Sequence, residues 1–315
     1  MKRKIGVVMD AISSIDFKKD STLAMLWEAQ DRGYEIFYFE QKDLFVRDGK
    51  SFGNAATLNV FRDEKKYFEL SSKNILSLSE LDVILMRKDP PFDQQYIYTT
   101  YILECAEKEG VLILNRPAAL RDANEKFFTI NFPDCCPPTL ITRDKKLFRE
   151  FLNEQREIIC KPLEGMGGRS VFHLTESDIN ASVIYETLTQ SGTQYMMLQR
   201  FIPEIKLGDK RIILINGEPI PFALARIPAS GELRGNLVAG AKGVSQPLTE
   251  KDKWICEQVA PVLREKGLYF VGLDVIGNYL TEINVTSPTG IRQLDEQCNI
   301  NISKIFFDFI ESQSI

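Results

Sequence analysis

A glycine-rich segment between two apolar stretches is the first place in the sequence where chemistry is expected. Residues 158–171 read IICKPLEGMGGRSV, so Lys161 precedes glycines at positions 165, 167 and 168. Closely spaced glycines let backbone N–H groups approach an anion. The segment is not a P-loop, because no lysine follows the glycines, and Ser170 stands where a dinucleotide-binding turn needs its third glycine. Since it joins two predicted strands, we expect either a flap over phosphate groups or a flexible hairpin.

Three oxygen-bearing side chains near the C-terminus form a second group. Asp274, Glu282 and Asn284 interrupt the apolar sequence FVGLDVIGNYLTEINV of residues 270–285. Glu282 and Asn284 are two residues apart, so on a strand they share one face. A buried carboxylate needs a cationic partner or a metal, and carboxylate and amide oxygens suit Mg²⁺. The pattern predicts a magnesium site, with a solvent-facing hairpin as the alternative.

The turn at Gly277-Asn278 decides whether Asp274 reaches this site. A two-residue loop would place Asp274 opposite Thr281, on the wrong face from Glu282. A three- or five-residue loop, or a β-bulge, would place it opposite Glu282. We therefore predict that the turn is not a tight two-residue turn.

A third group is basic and lies between the other two. Lys210-Arg211, Arg226 and the tripeptide RGN at 234–236 fall here. Arginine holds carboxylate and phosphate groups through two parallel hydrogen bonds. Arg211 and Arg226 flank an Asn216-Gly217 hairpin signal, which would bring them close together. Taken singly, each of these side chains also fits a solvated surface charge.

The first third of the chain alternates strand and helix patterns. Strands are predicted at 4–9, 34–39, 81–86 and 111–114, helices at 21–32 and 93–109, and a short hairpin at Asp48-Gly49. This alternation predicts an α/β domain with an open, mostly parallel sheet and helices on both faces. Asn115-Arg116-Pro117 turns the chain out of that sheet, and we place the domain boundary near Asp122.

Beyond the boundary the pattern changes to shorter units. Strands are predicted at 140–142, 158–161 and 170–174, a helix at 145–155, and a hairpin over 211–225 around Asn216-Gly217. Residues 228–247 are rich in glycine and polar groups, which predicts a long loop that is a lid or disordered.

Composition and single residues exclude several classes of function. The net charge is −5, so no overall positive field draws the chain to nucleic acid or an anionic membrane. No apolar run approaches the length that spans a bilayer, and the six cysteines form no C-x-x-C pair, so we expect a cytoplasmic protein with reduced thiols. The single histidine, His173, excludes metal sites that need two, and we expect it to be structural.

Together these motifs resemble the ATP-grasp superfamily, and over nearly its full length the chain is similar to the bacterial glutathione synthetases. The stretch most typical of that family is VILMRKDPPFD at 83–93. The other matching segments are, in order, NEK at 124–126, KPL at 161–163, GMGG at 165–168, RGNL at 234–237 and TEINVTSPT at 281–289.

The resemblance implies a fold and a division into domains. Residues 1–121 would form an open parallel α/β domain, the pre-ATP-grasp domain, which contributes to substrate binding. Residues 122–315 would form a two-lobed ATP-grasp fold of the α+β type. Within it, 122–200 would be a lid subdomain with the glycine-rich loop, and 201–315 a C-terminal subdomain with the metal site.

The resemblance also implies a reaction, the ATP-dependent joining of γ-glutamylcysteine and glycine to glutathione through an acyl phosphate. ATP is then a co-substrate, Mg²⁺ (or Mn²⁺ in its place) is the metal, and the assembly is a homotetramer without nucleic-acid or membrane partners. Two alternatives stay open at this point. One is another ATP-grasp carboxylate–amine ligase, and the other is a non-enzymatic nucleotide-binding regulator on the same fold.

The resemblance finally assigns residues to parts of the site. Those matching ATP contacts are Lys126, Lys161, Gly165, Met166, Gly167, Gly168, Arg169, Ser170, Gln199, Arg200, Phe201, Ile202 and Asp209. Those matching magnesium ligands are Asp274, Glu282 and Asn284. Those matching substrate contacts are Arg211, Arg226, Arg234, Asn236, Ser287, Pro288, Thr289 and Gly290. Catalytic charge stabilisation would come from Arg211, Arg226 and Lys161. The adenine segment at 199–202 and the lid sequence at 239–243 depart from the family pattern.

Overall fold

The computed structural model describes residues 2–229, 235 and 242–313, and within them the strands form three sheets. Helices pack against each sheet. Two of the predicted substrate contacts, Arg234 and Asn236, lie outside the described residues, as does most of the predicted loop at 228–247.

The first sheet comes from the N-terminal third and has a parallel centre. Its elements are β1 Lys4–Val8, α1 Ser21–Asp31, β2 Glu35–Phe39, β3 Leu44–Arg47, β4 Lys50–Val60, β5 Phe68–Leu70, β6 Asn74–Ser77, β7 Val83–Met86, α2 Gln94–Lys108, β8 Leu112–Leu114 and α3 Pro117–Asp122. The strands β2, β1, β7 and β8 are parallel neighbours, as predicted. The strands β3 to β6 pair antiparallel beyond β2, so this edge of the sheet is antiparallel. Of that edge the sequence predicts only the Asp48-Gly49 hairpin, where both residues have positive φ.

Side-chain caps explain where the two long helices of this region begin. The Asp20 carboxylate accepts a hydrogen bond from the Leu23 N–H at 2.6 Å, and the Asp93 carboxylate accepts one from the Tyr96 N–H at 2.9 Å. Such caps satisfy backbone donors that have no partner within the helix. Helix α1 therefore starts at its predicted residue, and α2 starts one residue after the predicted Asp93, which is its cap.

The second sheet follows the strand order β11, β10, β12, β9 and is antiparallel. Its elements are β9 Thr139–Thr142, α4 Lys145–Gln155, β10 Glu157–Pro162, β11 Phe172–Thr175, α5 Ala181–Thr189 and β12 Met196–Arg200. Helix α4 has the predicted bounds, and Asp144 caps it. The glycine-rich segment joins β10 to β11, so the predicted strand–loop–strand unit is confirmed.

The third sheet follows the order β15, β14, β13, β16, β17 and is also antiparallel. Its elements are β13 Asp209–Ile215, β14 Glu218–Ile227, β15 Lys242–Pro247, α6 Glu250–Lys266, β16 Phe270–Ile276, β17 Tyr279–Asn284, α7 Ile291–Cys298 and α8 Ile302–Ser312. The Asn216-Gly217 turn has positive φ at both residues, so this hairpin is confirmed. The predicted loop at 228–247 is wrong at its end, because 242–247 pairs with β14 as β15.

The first and third sheets share their hydrophobic cores. Ile84 and Met86 of β7 lie in one buried cluster with Leu273 of β16 and Ile283 of β17. The buried Asn115 side chain, just after β8, also connects them. It donates to the carbonyls of Phe270 and Val285 and accepts from the N–H groups of Tyr269 and Phe270. The Asn115 side chain thus connects the start of β16 to the residue that follows β17. Over the described residues, no helix is long and apolar enough to cross a membrane.

Candidate active site

Asp274 on β16 and Glu282 on β17 lie directly opposite each other, as the magnesium hypothesis requires. The predicted turn is nevertheless wrong, since Ile276 pairs with Tyr279 and leaves the two-residue turn Gly277-Asn278. The pairing shifts by one residue between Asp274 and Val275. Thr281 is therefore the extra residue of a β-bulge, and the bulge rather than the turn brings the two carboxylates to one face.

Two arginines from neighbouring strands hold Asp274. Arg211 of β13 donates from Nε to Oδ1 at 2.6 Å and from Nη2 to Oδ2 at 3.0 Å. Arg226 of β14 lies with Nη2 2.9 Å from the same Oδ2. All three side chains are buried. The expected proximity of Arg211 and Arg226 is confirmed, and the shared carboxylate is what brings them together.

Asp209 competes with Asp274 for the positive charge of Arg226. Arg226 Nη2 also donates to Asp209 Oδ2, while Asp209 Oδ1 is buried without a partner among the described residues. Burial raises the pKa of Asp209 to about 6, and the negative charge of Asp274 adds to that rise. Burial alone would raise the pKa of Asp274 too, but the two arginines hold it well below its usual range. Asp274 therefore stays ionised to a lower pH than Asp209 does.

Two buried lysines face Glu282. Lys126 Nζ lies 3.6 Å and Lys161 Nζ 3.9 Å from Glu282 Oε1. Lys126 also donates to the Gly165 carbonyl at 2.9 Å, and Lys161 to the bulge carbonyl of Thr281 at 3.2 Å. Burial lowers the pKa of Lys161, although the charge of Glu282 opposes this. The two lysine ammonium groups and the one Glu282 carboxylate together carry a net positive charge, which suits a polyanionic ligand.

The glycine-rich segment and this charged floor enclose a cleft of about 960 Å³, here called the flap cleft. A second cleft of about 920 Å³, the arginine cleft, adjoins it on the side of Arg211 and Arg226. The residues that line both are Gly165, Met166, Gly167, Asp274 and Glu282. A ligand group in one cleft can therefore meet a group in the other over the two carboxylates.

Most residues predicted to contact ATP line the flap cleft. They are Lys126, Lys161, Gly165, Met166, Gly167, Gly168, Arg169, Gln199, Arg200, Phe201, Ile202 and Asp209. Ser170 is not among its lining residues. Arg200 is held to one side, since its Nη2 donates to the Tyr279 hydroxyl at 2.9 Å. The Phe201 and His173 rings pack in a tilted arrangement with their centroids 4.3 Å apart, which supports the structural role expected for that histidine.

The arginine cleft collects the residues predicted to contact the other substrates. Those that line it are Arg211, Arg226, Ser287, Pro288 and Thr289. Gly290 lies beside it, where its N–H donates to the Ser21 hydroxyl at 3.2 Å. Arg234 and Asn236 stay predictions, because neither lies in the described part of the chain.

The donor set at the two clefts fits a hard divalent cation. Asn284 donates from Nδ2 to the Gly272 carbonyl at 3.2 Å, which leaves its Oδ1 available. Asn284, Glu282 and Asp274 line the arginine cleft together. No group of three or more His, Cys, Asp or Glu side chains within the described ranges is arranged to hold a metal ion. A magnesium site would therefore need the Asn284 amide and phosphate oxygens, which are ligands that Mg²⁺ accepts.

Two charged residues at the site, the buried Arg87 and the half-buried Glu125, were missed by the residue-level prediction. Arg87 follows β7 and donates from Nε to Thr22 Oγ1 at 3.1 Å and from Nη2 to the Pro288 carbonyl at 3.0 Å. Glu125 precedes Lys126 and binds the backbone at Val285 and Thr286. Both lie inside the family-typical segments, 83–93 and 124–126. Arg87 also carried a signal of its own, a charge at the end of an apolar parallel strand.

Two family models match this chain and together cover most of its length. The model of the prokaryotic glutathione synthetase N-terminal domain matches residues 3–121, and that of the ATP-grasp domain of the same family matches residues 125–299. The chain is 57% identical to the glutathione synthetase of Pseudomonas aeruginosa over 313 residues, 99% of each chain. It is 55% identical to that of Coxiella burnetii over 313 residues, 99% of this chain and 98% of the other.

Solved structures share the fold at much lower identity. The ATP-grasp ligase PsnB complexed with its minimal precursor is 18% identical, with a TM-score of 0.65 and full coverage of both chains. The D-cycloserine synthetase DcsG is 13% identical, with a TM-score of 0.62 over 90% of this chain and 92% of the other. These two likenesses confirm the expected ATP-grasp fold.

Proposed function

The chain belongs to the prokaryotic glutathione synthetase family, and from this premise we propose how its residues carry out the family's reaction. It is an ATP-dependent ligase that joins γ-glutamylcysteine to glycine, with glutathione, ADP and phosphate as products. The observation that supports the residue assignment is the cross-strand pair Asp274–Glu282, which lies where the two clefts meet and which two lysines and two arginines face.

ATP occupies the flap cleft in this proposal. Lys126 and Lys161 bind its phosphates, and the N–H groups of the flap at Gly165–Ser170 close over them. Gln199–Ile202 and Asp209 meet the adenine and ribose, since they line the same cleft. The surplus positive charge of the two lysines supports this placement, because phosphoryl transfer depends on positioning and charge neutralisation rather than on a protein nucleophile.

Asp274, Glu282 and Asn284 would hold Mg²⁺, which when bound neutralises phosphate charge and orients the phosphate oxygens. Asp274 already accepts hydrogen bonds at both oxygens. Besides binding the metal, Asp274 would therefore hold Arg211 and Arg226 in position beside the metal site.

γ-Glutamylcysteine occupies the arginine cleft. Its cysteinyl carboxylate lies at the junction of the clefts, where it takes the γ-phosphoryl group of ATP. Arg211 and Arg226 stabilise the negative charge of the acyl phosphate and of the tetrahedral intermediate that forms when the glycine amine attacks. Ser287–Gly290 form the opposite wall, and Arg87 keeps that wall in place through the Pro288 carbonyl.

Three further expectations belong to the same proposal and rest on the family resemblance. They are the division of the chain at residues 121 and 122 with a second division near 200, a homotetrameric assembly, and a cytoplasmic location. Arg234 and Asn236 complete the substrate contacts.

The test is phosphate release from ATP and Mg²⁺ with γ-glutamylcysteine, with and without glycine. We expect release that needs both substrates, and its loss in Glu282→Gln. The matched control is Glu218→Gln, because Glu218 lies in an exposed ion pair with Arg264 far from the clefts. Release with a different acid and amine, but not with this pair, would overturn the substrate assignment. Full activity of Glu282→Gln would overturn the metal and phosphate site.

A further inference from the structure

Both substrates of the proposed reaction carry a positive charge that the assigned residues leave without a partner. γ-Glutamylcysteine has one ammonium group and two carboxylates, and glycine has one ammonium group and one carboxylate. The residues assigned to them so far are arginines, an amide and the wall at 287–290. An ammonium group that leaves water needs a carboxylate or several hydrogen-bond acceptors. The clefts should therefore contain an acidic side chain that is not already neutralised.

Four carboxylates line the arginine cleft, and they differ in their partners. Asp274 is held by two arginines, and Glu282 faces two lysines. Asp89 and Glu125 form no salt bridge with any described residue. Asp89 lies two residues after Arg87, whose guanidinium donates to the Pro288 carbonyl, whereas Glu125 directly precedes Lys126.

One oxygen of Glu125 is fixed by three hydrogen bonds. Oε1 accepts from the N–H groups of Val285 at 2.9 Å and Thr286 at 3.0 Å and from the Thr286 hydroxyl at 2.8 Å. Its own backbone carbonyl accepts from the Ile283 N–H at 2.8 Å. The side chain is therefore held in one position against the strand that carries Glu282 and Asn284.

The other oxygen of Glu125 has no donor among the described residues and keeps contact with solvent, since it is not one of the enclosed unpartnered atoms. Glu125 lines the arginine cleft and also a smaller adjoining cavity beside Pro90, Phe92 and Gly165. Burial raises the pKa of Glu125, and hydrogen bonds from Thr286 only partly oppose this. A cation in the cleft would offset the cost of that buried charge.

We propose that Glu125 Oε2 binds the ammonium group of the amine substrate, glycine, and holds it beside the junction of the two clefts. The inference rests on the proposed function and adds the residue that recognises the amine. The position favours glycine over the ammonium group of γ-glutamylcysteine, because Glu125 lies next to Lys126 and the flap, where the acyl phosphate forms. Asp89, the other carboxylate of this cleft without a cationic partner among the described residues, remains for the other ammonium group.

The test variant is Glu125→Gln, which keeps an oxygen for the three donors and removes the charge at Oε2. We expect its KM for glycine to rise at least tenfold, while the KM for ATP and for γ-glutamylcysteine changes less than threefold. A thermal melt checks that the fold is kept. The matched control is Asp122→Asn, an exposed carboxylate of the same segment, which should leave every constant unchanged.

A neutral amine separates recognition of the ammonium group from a structural effect. Hydroxylamine is uncharged near neutral pH and can capture the acyl phosphate as a hydroxamate. Glu125→Gln should form the hydroxamate at a rate within about threefold of the unmodified protein. An equal loss with glycine and hydroxylamine would overturn the proposal and leave Glu125 a structural role.

Two other outcomes would also be decisive. An unchanged KM for glycine in Glu125→Gln, with a rise in Asp89→Asn instead, would overturn the assignment to Glu125. No phosphate release by the unmodified protein with γ-glutamylcysteine and glycine would overturn the proposed function itself. That result is distinct, because it does not depend on any variant.

Discussion

Arg211 and Asp274 form a two-point ion pair across β13 and β16, with distances of 2.6 Å from Nε to Oδ1 and 3.0 Å from Nη2 to Oδ2. The two residues are direct neighbours in the antiparallel pairing of these strands. Both side chains are buried, so neither charge is well solvated when the other is removed. Removal of either partner alone would therefore leave a buried charge unpaired, which is costly whatever the net stability of the pair.

Removal of the carboxylate should be costly. We expect Asp274→Ala to lower the free energy of unfolding by about 3–5 kcal/mol, because it leaves buried guanidinium charge without a partner. The double variant Asp274→Ala with Arg211→Ala should be less destabilised than the sum of the two single variants. Urea unfolding of the three proteins measures the coupling. The exposed pair Glu218–Arg264 is the control, and its removal should change the free energy by less than about 1 kcal/mol.

The position of the Arg211 side chain also depends on residue 272 being glycine, which has no Cβ. A methyl group at Gly272 would lie 2.8 Å from Arg211 Cδ and 2.8 Å from Pro288 Cβ. We expect Gly272→Ala to displace Arg211 from Asp274 and to lower kcat about tenfold or more, since loss of one charge-stabilising donor costs about 10²–10³. The KM for ATP should change little.

Gly53 in the first sheet offers a control for Gly272→Ala, because an added methyl group would also clash there. A methyl group at Gly53 would lie 2.6 Å from a Phe39 ring carbon, far from both clefts. Gly53→Ala should lower the melting temperature while the folded fraction keeps its kcat. If Gly272→Ala kept full kcat, Arg211 would not need its observed position for catalysis.

Local signals in the sequence were sufficient for most strands, but among the helices only for α1, α2 and α4. Helix α4 has its predicted bounds, and α1 and α2 begin within one residue of their predicted starts, where an acidic side chain caps each helix. The two hairpins with Asp-Gly and Asn-Gly turns were also found, since these residues tolerate positive φ. Strand β15 was missed, because its residues KGVSQP have neither an apolar run nor alternation.

Most residues that line the two clefts could be predicted as a group from the sequence, but the strand register that places Asp274 opposite Glu282 could not. The types and spacing of Asp274, Glu282 and Asn284 indicate metal ligands, yet a two-residue turn is compatible with either face until the bulge at Thr281 is seen. A bulge depends on tertiary contacts, here the Lys161 ammonium on the Thr281 carbonyl. The contacts of Glu125 were not predicted, because its partners at Val285 and Thr286 lie some 160 residues away in the chain.

The flap offers a substitution that separates ATP binding from stability. Gly167 has φ of 71°, and a methyl group there would meet nothing within 4 Å. Gly167→Ala thus introduces only backbone strain, of about 1–2 kcal/mol, and we expect the KM for ATP to rise about fivefold to thirtyfold. The control is Gly49→Ala, which has φ of 77° and open space too but lies in the β3–β4 hairpin. It should lower stability without changing the KM for ATP, and the same rise in both variants would show that the flap is not involved.

Asp295 in α7 offers a pH-dependent change in stability away from the clefts. Its Oδ1 accepts from the Ile302 N–H at 2.9 Å, at the start of α8. Burial raises the pKa of Asp295 to about 6 in the folded protein, whereas an unfolded aspartate has a pKa of about 3.9. Ionisation of this residue therefore opposes folding.

The pH dependence of Asp295→Asn relative to the unmodified protein has a defined sign. Below about pH 4 the Asp295 carboxyl group holds a proton in most molecules of the folded and of the unfolded protein. Its charge therefore contributes little to the free energy of unfolding there. As the pH rises from that value to about 6, the unfolded chain loses the proton first, and the free energy of unfolding of the unmodified protein falls. Asn keeps the acceptor for Ile302 and has no charge, so the variant should gain about 1 kcal/mol relative to the unmodified protein by pH 7, after allowance for solvent screening. Urea unfolding of both proteins at several pH values between 4 and 8 measures this difference. A constant difference across that range would contradict the raised pKa of Asp295.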